Sequence, residues 1–179
     1  MKEPIVRPYT RDMSALDASL PSPLPATDGE AALRDAERIA DRIASDEAAA
    51  NDARQAYQAE GLPVLEPDGA AGAFLQPGEV LHAVHGSALL EDAGWTNRAT
   101  HPRGGTLYLT SERLVHTGVE SSELSLAAID EMGIGLERLV LIRLRDGSDL
   151  AIEVDQPRLL RVQLAAAIAA QRARETARP

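Results

Sequence analysis

GTLYLTSERLVHTG, residues 105–118, is the stretch of sequence that decides the fold. Apolar residues alternate with polar or aromatic ones along both halves, which is the two-residue period of a half-buried strand. The Ser-Glu pair between the halves is suited to a tight turn. The stretch therefore predicts an antiparallel hairpin with strands at 106–110 and 113–117 and with Tyr108 facing outward.

The same alternation continues on both sides of this hairpin. We predict further strands at residues 79–90, 123–129, 131–136, 138–145 and 149–155. Pro157 suits the first turn of a helix, and the residues after it place an apolar side at Leu160, Leu164, Ala167, Ile168 and Gln171. The predicted fold is mainly β with helices (α+β), a seven-stranded antiparallel barrel capped by a C-terminal helix.

The sequence before this barrel has a different character. Residues 1–27 contain five of the eleven prolines and predict a disordered tail, which would be a docking peptide or a plain terminus. Residues 28–60 lack proline and predict a separate helix with a weak stripe at Leu33, Ala36, Ala40, Ile43 and Ala50. That helix would bind a partner or a second copy, would lie against its own domain, or would project into solvent. Residues 61–78 predict a linker, 79–174 the domain, and 175–179 a C-terminal tail.

Composition excludes several classes of function. The chain has no cysteine, which excludes disulfides and thiolate chemistry, and no apolar run long enough to cross a bilayer, so we expect a cytoplasmic protein that is not an integral membrane protein. The net charge is −10, and the predicted barrel is acidic. Nucleic acid and anionic lipid both attract clustered Lys and Arg, so we expect no nucleic-acid partner and favour cationic or neutral partners.

The hairpin also carries a family resemblance. Residues 105–118 resemble the G-x-L-x-L-T-x-x-R-L hairpin of GRAM and bacterial pleckstrin-homology (PH) domains, and residues 124–129, 146–147 and 157–160 resemble the later strand, turn and helix start of that family. The resemblance covers about residues 77–174. It implies a PH-like barrel that serves as a non-enzymatic scaffold for phosphoinositide, membrane-surface or peptide binding.

Lipid sites of this family place Lys and Arg in and beside the loop that joins the first two strands. Here that loop offers Arg98, His101 and Arg103 but no lysine. Trp95 lies in the same loop, and Trp and Arg dominate protein interfaces. We therefore predict partner contacts at Trp95, Arg98, His101 and Arg103, with the alternative that Trp95 folds back to fill one end of the barrel.

No catalytic, cofactor or metal residues are predicted. Neither a nucleophile elbow nor a phosphate-binding loop occurs in the sequence. His82 and His85 point to opposite faces of a strand, which leaves a cross-strand pair of His82 and His116 as the metal hypothesis. The sequence thus favours a protein- or peptide-binding adaptor, with peripheral lipid-headgroup binding at the membrane as the alternative and a metal-dependent enzyme as the second alternative.

Overall fold

A computed structural model describes residues 26–86, 89–92, 104–118 and 121–177. Its helices are α1 (Ala26–Glu60), α2 (Gly69–Phe74) and α3 (Pro157–Thr176). Its strands are β1 (Leu81–Gly86), β2 (Leu89–Asp92), β3 (Gly105–Thr110), β4 (Arg113–Gly118), β5 (Ser122–Ser125), β6 (Ile129–Gly135), β7 (Leu139–Leu144) and β8 (Asp149–Glu153). The strands form two antiparallel four-stranded sheets, in the orders β1-β3-β4-β5 and β2-β8-β7-β6. The mixed α+β class and the closing helix agree with the prediction.

The first predicted strand, residues 79–90, is divided between the two sheets. β1 pairs with β3 and β2 pairs with β8, so seven predicted strands become eight strand segments in the described part of the chain. A bulge between Leu81 and Ala83 also interrupts the predicted alternation. Ala83 faces the main core, whereas Leu81 belongs to a second cluster on the outer face of the sheet.

The predicted closed barrel is wrong, because β5 and β6 end their sheets without pairing with each other. The strand predicted at 123–129 stops early, and Leu126–Ala128 form a 3₁₀ turn instead. Two backbone hydrogen bonds hold that turn. The Leu126 N–H donates to Glu112 at 3.0 Å, and the Ala128 carbonyl accepts from Arg145 at 2.9 Å. The turn thereby separates the two strands, and among the described strands β5 and β6 each pair on one side only, which leaves a free edge on each.

The core fills the space between the sheets and α3. It is aliphatic, and its largest fully buried members include Leu107, Leu109, Ile129, Ile142, Ile152, Leu160 and Leu164. Pro157 begins α3, and the helix buries the face predicted from its spacing, down to Gln171. The regular period of this helix therefore predicted its buried face correctly.

Residues 61–78, expected to be a linker, cover the outer face of the first sheet. Asp68 caps α2 by accepting a hydrogen bond from the Ala71 N–H at 2.6 Å. Phe74 then packs edge-on against Tyr108, with ring centroids 5.1 Å apart. Tyr108 faces outward as predicted, yet it is buried because α2 and the residues after it cover it.

The packed face of the N-terminal helix α1 overlaps the predicted stripe only at Ile43 and Ala50, because Leu33, Ala36 and Ala40 are exposed. The chain divides into two units between Glu37 and Arg38. In the first unit, Leu33 is 61% exposed, and Arg34 pairs with Glu30 at 3.1 Å. In the second unit, the buried or half-buried positions recur every three or four residues at Ile39, Ile43, Asp46, Ala50, Ala53 and Tyr57. Among the described residues, no helix is both long enough and apolar enough to span a bilayer.

Candidate interaction surface

The predicted contact residues Trp95, Arg98, His101 and Arg103 all lie in the segment 93–103, outside the described residues. They stay a prediction. The geometry of a candidate site therefore comes from the two sheets and the helices around them, beginning with the polar residues of the hairpin at 105–118.

The Thr and Arg of the Leu-Thr-x-x-Arg-Leu motif belong to a buried polar network around Glu79. The Arg113 guanidinium donates to both carboxylate oxygens of Glu79 at 3.0 Å, and the Thr110 hydroxyl lies 2.6 Å from one of them. Arg113 also pairs with Glu123 and donates to the carbonyl of Phe74 at 2.8 Å. The motif thus ties the hairpin to the preceding chain, which is a structural role.

Glu79 is charged in this setting even though its side chain is only 2% exposed. Burial by itself would raise the pKa of Glu79. Hydrogen bonds from Arg113, from Thr110 and from the Gln76 N–H outweigh burial, and with the charge of Arg113 they bring the pKa below its usual value. A carboxylate satisfied in this way is a fixed part of the fold rather than a general base.

Two glycines of the hairpin are required by close packing. A Cβ on Gly105 would lie 2.2 Å from the Thr117 carbonyl oxygen and 2.6 Å from Nε2 of His116. A Cβ on Gly118 would lie 2.8 Å from the Gly104 carbonyl oxygen. His116, which is itself buried, therefore occupies space that any larger residue at 105 would need.

The described histidines do not form a metal site. His82 donates from Nδ1 to the Pro63 carbonyl at 2.7 Å, and Nε2 of His85 lies 2.7 Å from Oε1 of Gln163 on α3. The metal hypothesis of a cross-strand pair of His82 and His116 does not hold, because β3 lies between their strands and His116 is in register with His85 through Leu107. Within the described residues, no three His, Cys, Asp or Glu side chains could hold a metal ion together.

Two cavities are lined by strands of the two sheets, one of them with residues of β5 and the other with residues of β6. The first, of about 210 Å³, is lined by apolar and polar side chains of the first sheet, among them Leu124 of β5, and by Leu150 and Ile152 of β8. A second, of about 450 Å³, is lined by residues of β6, β7 and β8, including Met132, Leu141 and again Leu150. Leu150 lines both cavities, whereas β5 lines only the smaller one and β6 only the larger one. We name these two cavities together the seam cleft.

The rim of the seam cleft is acidic. Glu123, Glu131 and Asp149 line the cavities, and Asp130 is exposed beside them on β6. Arg143 offsets part of this charge through ion pairs with Asp149 at 3.1 Å and with Glu131 at 3.8 Å, and Arg113 offsets part of it through its ion pair with Glu123. The cleft thus combines an apolar floor, two unpaired strand edges and an excess of carboxylates.

One functional residue that sequence reasoning missed is Asp46, which fastens α1 to α3. Its side chain is buried, and its two oxygens accept hydrogen bonds from the Arg158 and Leu159 N–H groups at 2.9 and 3.0 Å. It therefore caps the start of α3 from another helix, whereas the N-cap residue Gln156 makes no capping hydrogen bond with its own side chain. The available signal was an aspartate at a core-facing position between Ile43 and Ala50.

No family model matches the chain, and no curated protein matches it. Among solved structures, the chain is similar to the Vps36 N-terminal PH domain, with a TM-score of 0.44 and 15% identity over 57% of this chain and 86% of that one. It is also similar to the C-terminal domain of an unknown protein from Leishmania infantum, with a TM-score of 0.40 and 10% identity over 51% of this chain and 87% of that one. These scores are too low to support a functional argument, so the fold rests on the strand order and the closing helix.

Proposed function

We propose that residues 77–174 form a PH/GRAM-like, non-enzymatic interaction module that binds an extended segment of a partner protein in the seam cleft. The observation that supports this most directly is the pair of free edges at β5 and β6. A free edge offers backbone N–H and C=O groups in a row, to which an extended peptide adds as a further strand. The apolar side chains beneath, such as Leu124, Met132 and Leu150, offer pockets for alternate side chains of that peptide.

The acidic rim indicates the chemistry of the segment. Glu123, Asp130 and Glu131 favour arginine or lysine at the solvent-facing positions of the bound strand. Alternation of apolar and basic residues is therefore the expected pattern of the partner segment.

Binding of labelled peptides measured by fluorescence polarisation tests this proposal. The probes are two peptides of about ten residues, the upper range of strand lengths, in which valine alternates with arginine or with glutamate. We expect the arginine peptide to bind at least about tenfold more tightly, which corresponds to about 1.4 kcal/mol.

The double substitution Asp130→Arg with Glu131→Arg should remove this preference. The control Asp52→Arg with Glu60→Arg makes the same charge change on exposed positions of α1 and should not. Equal binding of the two peptides to the unmodified protein would overturn the proposal.

We further propose that Trp95, Arg98, His101 and Arg103 contact the same partner. β2 ends at Asp92, which pairs with Leu150, so the loop that holds these residues begins beside the seam cleft. Because Trp95 is the single tryptophan of the chain, its fluorescence reports on this loop alone. Addition of the arginine peptide should shift the emission of Trp95, and Trp95→Ala with Arg98→Ala should weaken binding. An unchanged spectrum at saturating peptide would remove these residues from the site.

A further inference from the structure

A groove of about 310 Å³ lies between the second half of α1 and the middle of α3, away from the residues of the seam cleft. Its floor is formed by small or apolar groups, namely the half-buried Tyr57, Val162 and Ala166 and the exposed Ala165. Exposed Arg54 lies on the α1 side, and exposed Arg161 on the α3 side. We name this the interhelical groove.

Neither arginine of the groove has a carboxylate partner among the described residues. Arg54 donates only to the side chain of Asn51, and Arg161 makes no ion pair or side-chain hydrogen bond in that part of the chain. By contrast, Arg42, Arg158 and Arg174 on the same two helices each pair with at least one acidic residue, whereas Arg172 near the end of α3 makes no ion pair in the described part of the chain. In a chain of net charge −10, this is a local positive site next to apolar surface.

The walls of the groove decide which backbone conformation can enter it. Both walls are α-helices, whose backbone groups are already hydrogen-bonded along each helix. An extended peptide would leave its own N–H and C=O groups without backbone partners there, whereas a helix satisfies them internally. Ala165 and Ala166 have small side chains and permit the close approach that helix packing needs.

We propose that the interhelical groove binds an amphipathic helix of a partner protein, whose apolar stripe packs on the floor and whose flanking glutamates or aspartates pair with Arg54 and Arg161. The carboxylates of such a helix complement the two free guanidinium groups. An anionic membrane is disfavoured as the occupant, because two cations on an acidic protein contribute little to membrane attraction. This surface is separate from the seam cleft and accepts the opposite charge.

Designed helical peptides of about 18 residues, long enough to form an isolated helix, test the proposal on the full chain. Both peptides have a leucine and alanine stripe, flanked by glutamate in one and by lysine in the other. Fluorescence polarisation should show the glutamate peptide binding about tenfold or more tightly than the lysine peptide, as two partly desolvated ion pairs would give. Arg54→Glu with Arg161→Glu should reverse this order.

Two controls separate the groove from the rest of the surface. Arg34→Glu with Arg145→Glu makes the same change in net charge at other exposed positions and should leave the order unchanged. Asp130→Arg with Glu131→Arg, which alters the seam cleft, should do the same. Thermal unfolding of each variant checks that it folds. The proposal is overturned if neither peptide binds, if both bind equally, if the groove variant keeps the original preference, or if phosphatidylserine vesicles capture the protein through Arg54 and Arg161.

Discussion

At the scale of single residues, Glu79 and Arg113 form a buried ion pair, although charged residues are usually found at the surface. Arg113 holds Glu79 through both carboxylate oxygens and also reaches Glu123 and the Phe74 carbonyl, so it joins three separate parts of the chain. Removing one partner of such a pair leaves the other without its compensating charge, and this is more costly than the pair's own net contribution.

Glu79→Gln is therefore expected to lower the free energy of unfolding by about 3 kcal/mol at neutral pH. Because the folded-state pKa of Glu79 lies below its ordinary value of 4.5, its ionised form stabilises the fold above that pH. This stabilisation is lost as the pH falls through the folded-state pKa. Urea denaturation over a pH series should show the difference between wild type and variant shrinking below about pH 4.5. The exposed Glu66→Gln is the control, and a pH-independent difference would contradict this role for Glu79.

His85 is expected to be neutral in the folded protein near physiological pH. Burial lowers its pKa below the ordinary 6.5, against the opposing effects of the hydrogen bond with Gln163 and the charge of Asp46. The unfolded chain thus binds a proton more readily, and stability from this group falls as the pH drops through the interval between the two pKa values. NMR titration should place the pKa of His85 below 6.5, and lower still in Gln163→Leu. A value at or above 6.5 would show that burial does not dominate.

At the scale of elements, Asp46 is the link between α1 and α3. Asp46→Ala should destabilise the protein by about 1 to 2 kcal/mol, since it removes the cap from two N–H groups at the start of α3. Limited proteolysis should then cut α1 sooner, because apolar contacts along this helix are few. Glu47→Ala is a matched control: Glu47 is exposed and pairs only with Arg158, so its loss should cost well under about 1 kcal/mol. Equal effects of the two substitutions would mean that the cap does not hold the helix.

The elements that could be predicted from sequence are those with a regular apolar period. The β3–β4 and β7–β8 hairpins and the inner face of α3 result directly from such periods. The open side of the sheets could not be predicted, because the 3₁₀ turn at Leu126–Ala128 depends on hydrogen bonds to two distant turns. The position of α2 could not be predicted either, because its apolar residues are buried only by contact with Tyr108 and Val115 on the outer face of the sheet.

The candidate site likewise has a part that the sequence predicts and a part that it does not. Strand alternation predicts a strand at residues 149–155, and Leu150 and Ile152 of that strand line the seam cleft. That they border an opening, rather than a closed core, depends on β5 and β6 failing to pair. The network of Glu79 was missed because its partner lies 34 positions away in sequence. The presence of a glutamate and an arginine in the sequence does not by itself indicate that the two residues pair.

At the scale of the whole molecule, the two sheets should differ in how strongly each strand is protected. β3 and β7 each lie between two strands, whereas β5 and β6 pair on one side only. Native-state hydrogen exchange should therefore be slowest in β3 and β7 and fastest in β5, whose strand is short and exposed at its edge. Addition of the arginine peptide should slow exchange in β5 and β6. Protection of β5 equal to that of β3 in the free protein would indicate that the edge is already covered.

The division of the first strand between two sheets has a consequence for the protein during its synthesis. β1 can find β3 and β4 while the chain is still growing, so the first sheet can assemble early. β2 comes only a few residues later, yet its partner β8 is made more than fifty residues afterwards and α3 later still. While the chain emerges from the ribosome, β2 therefore stays unpaired until residues 149–176 have been synthesised. A ribosome-bound chain stalled before β8 should remain open to proteases in the second sheet while its first sheet is already protected.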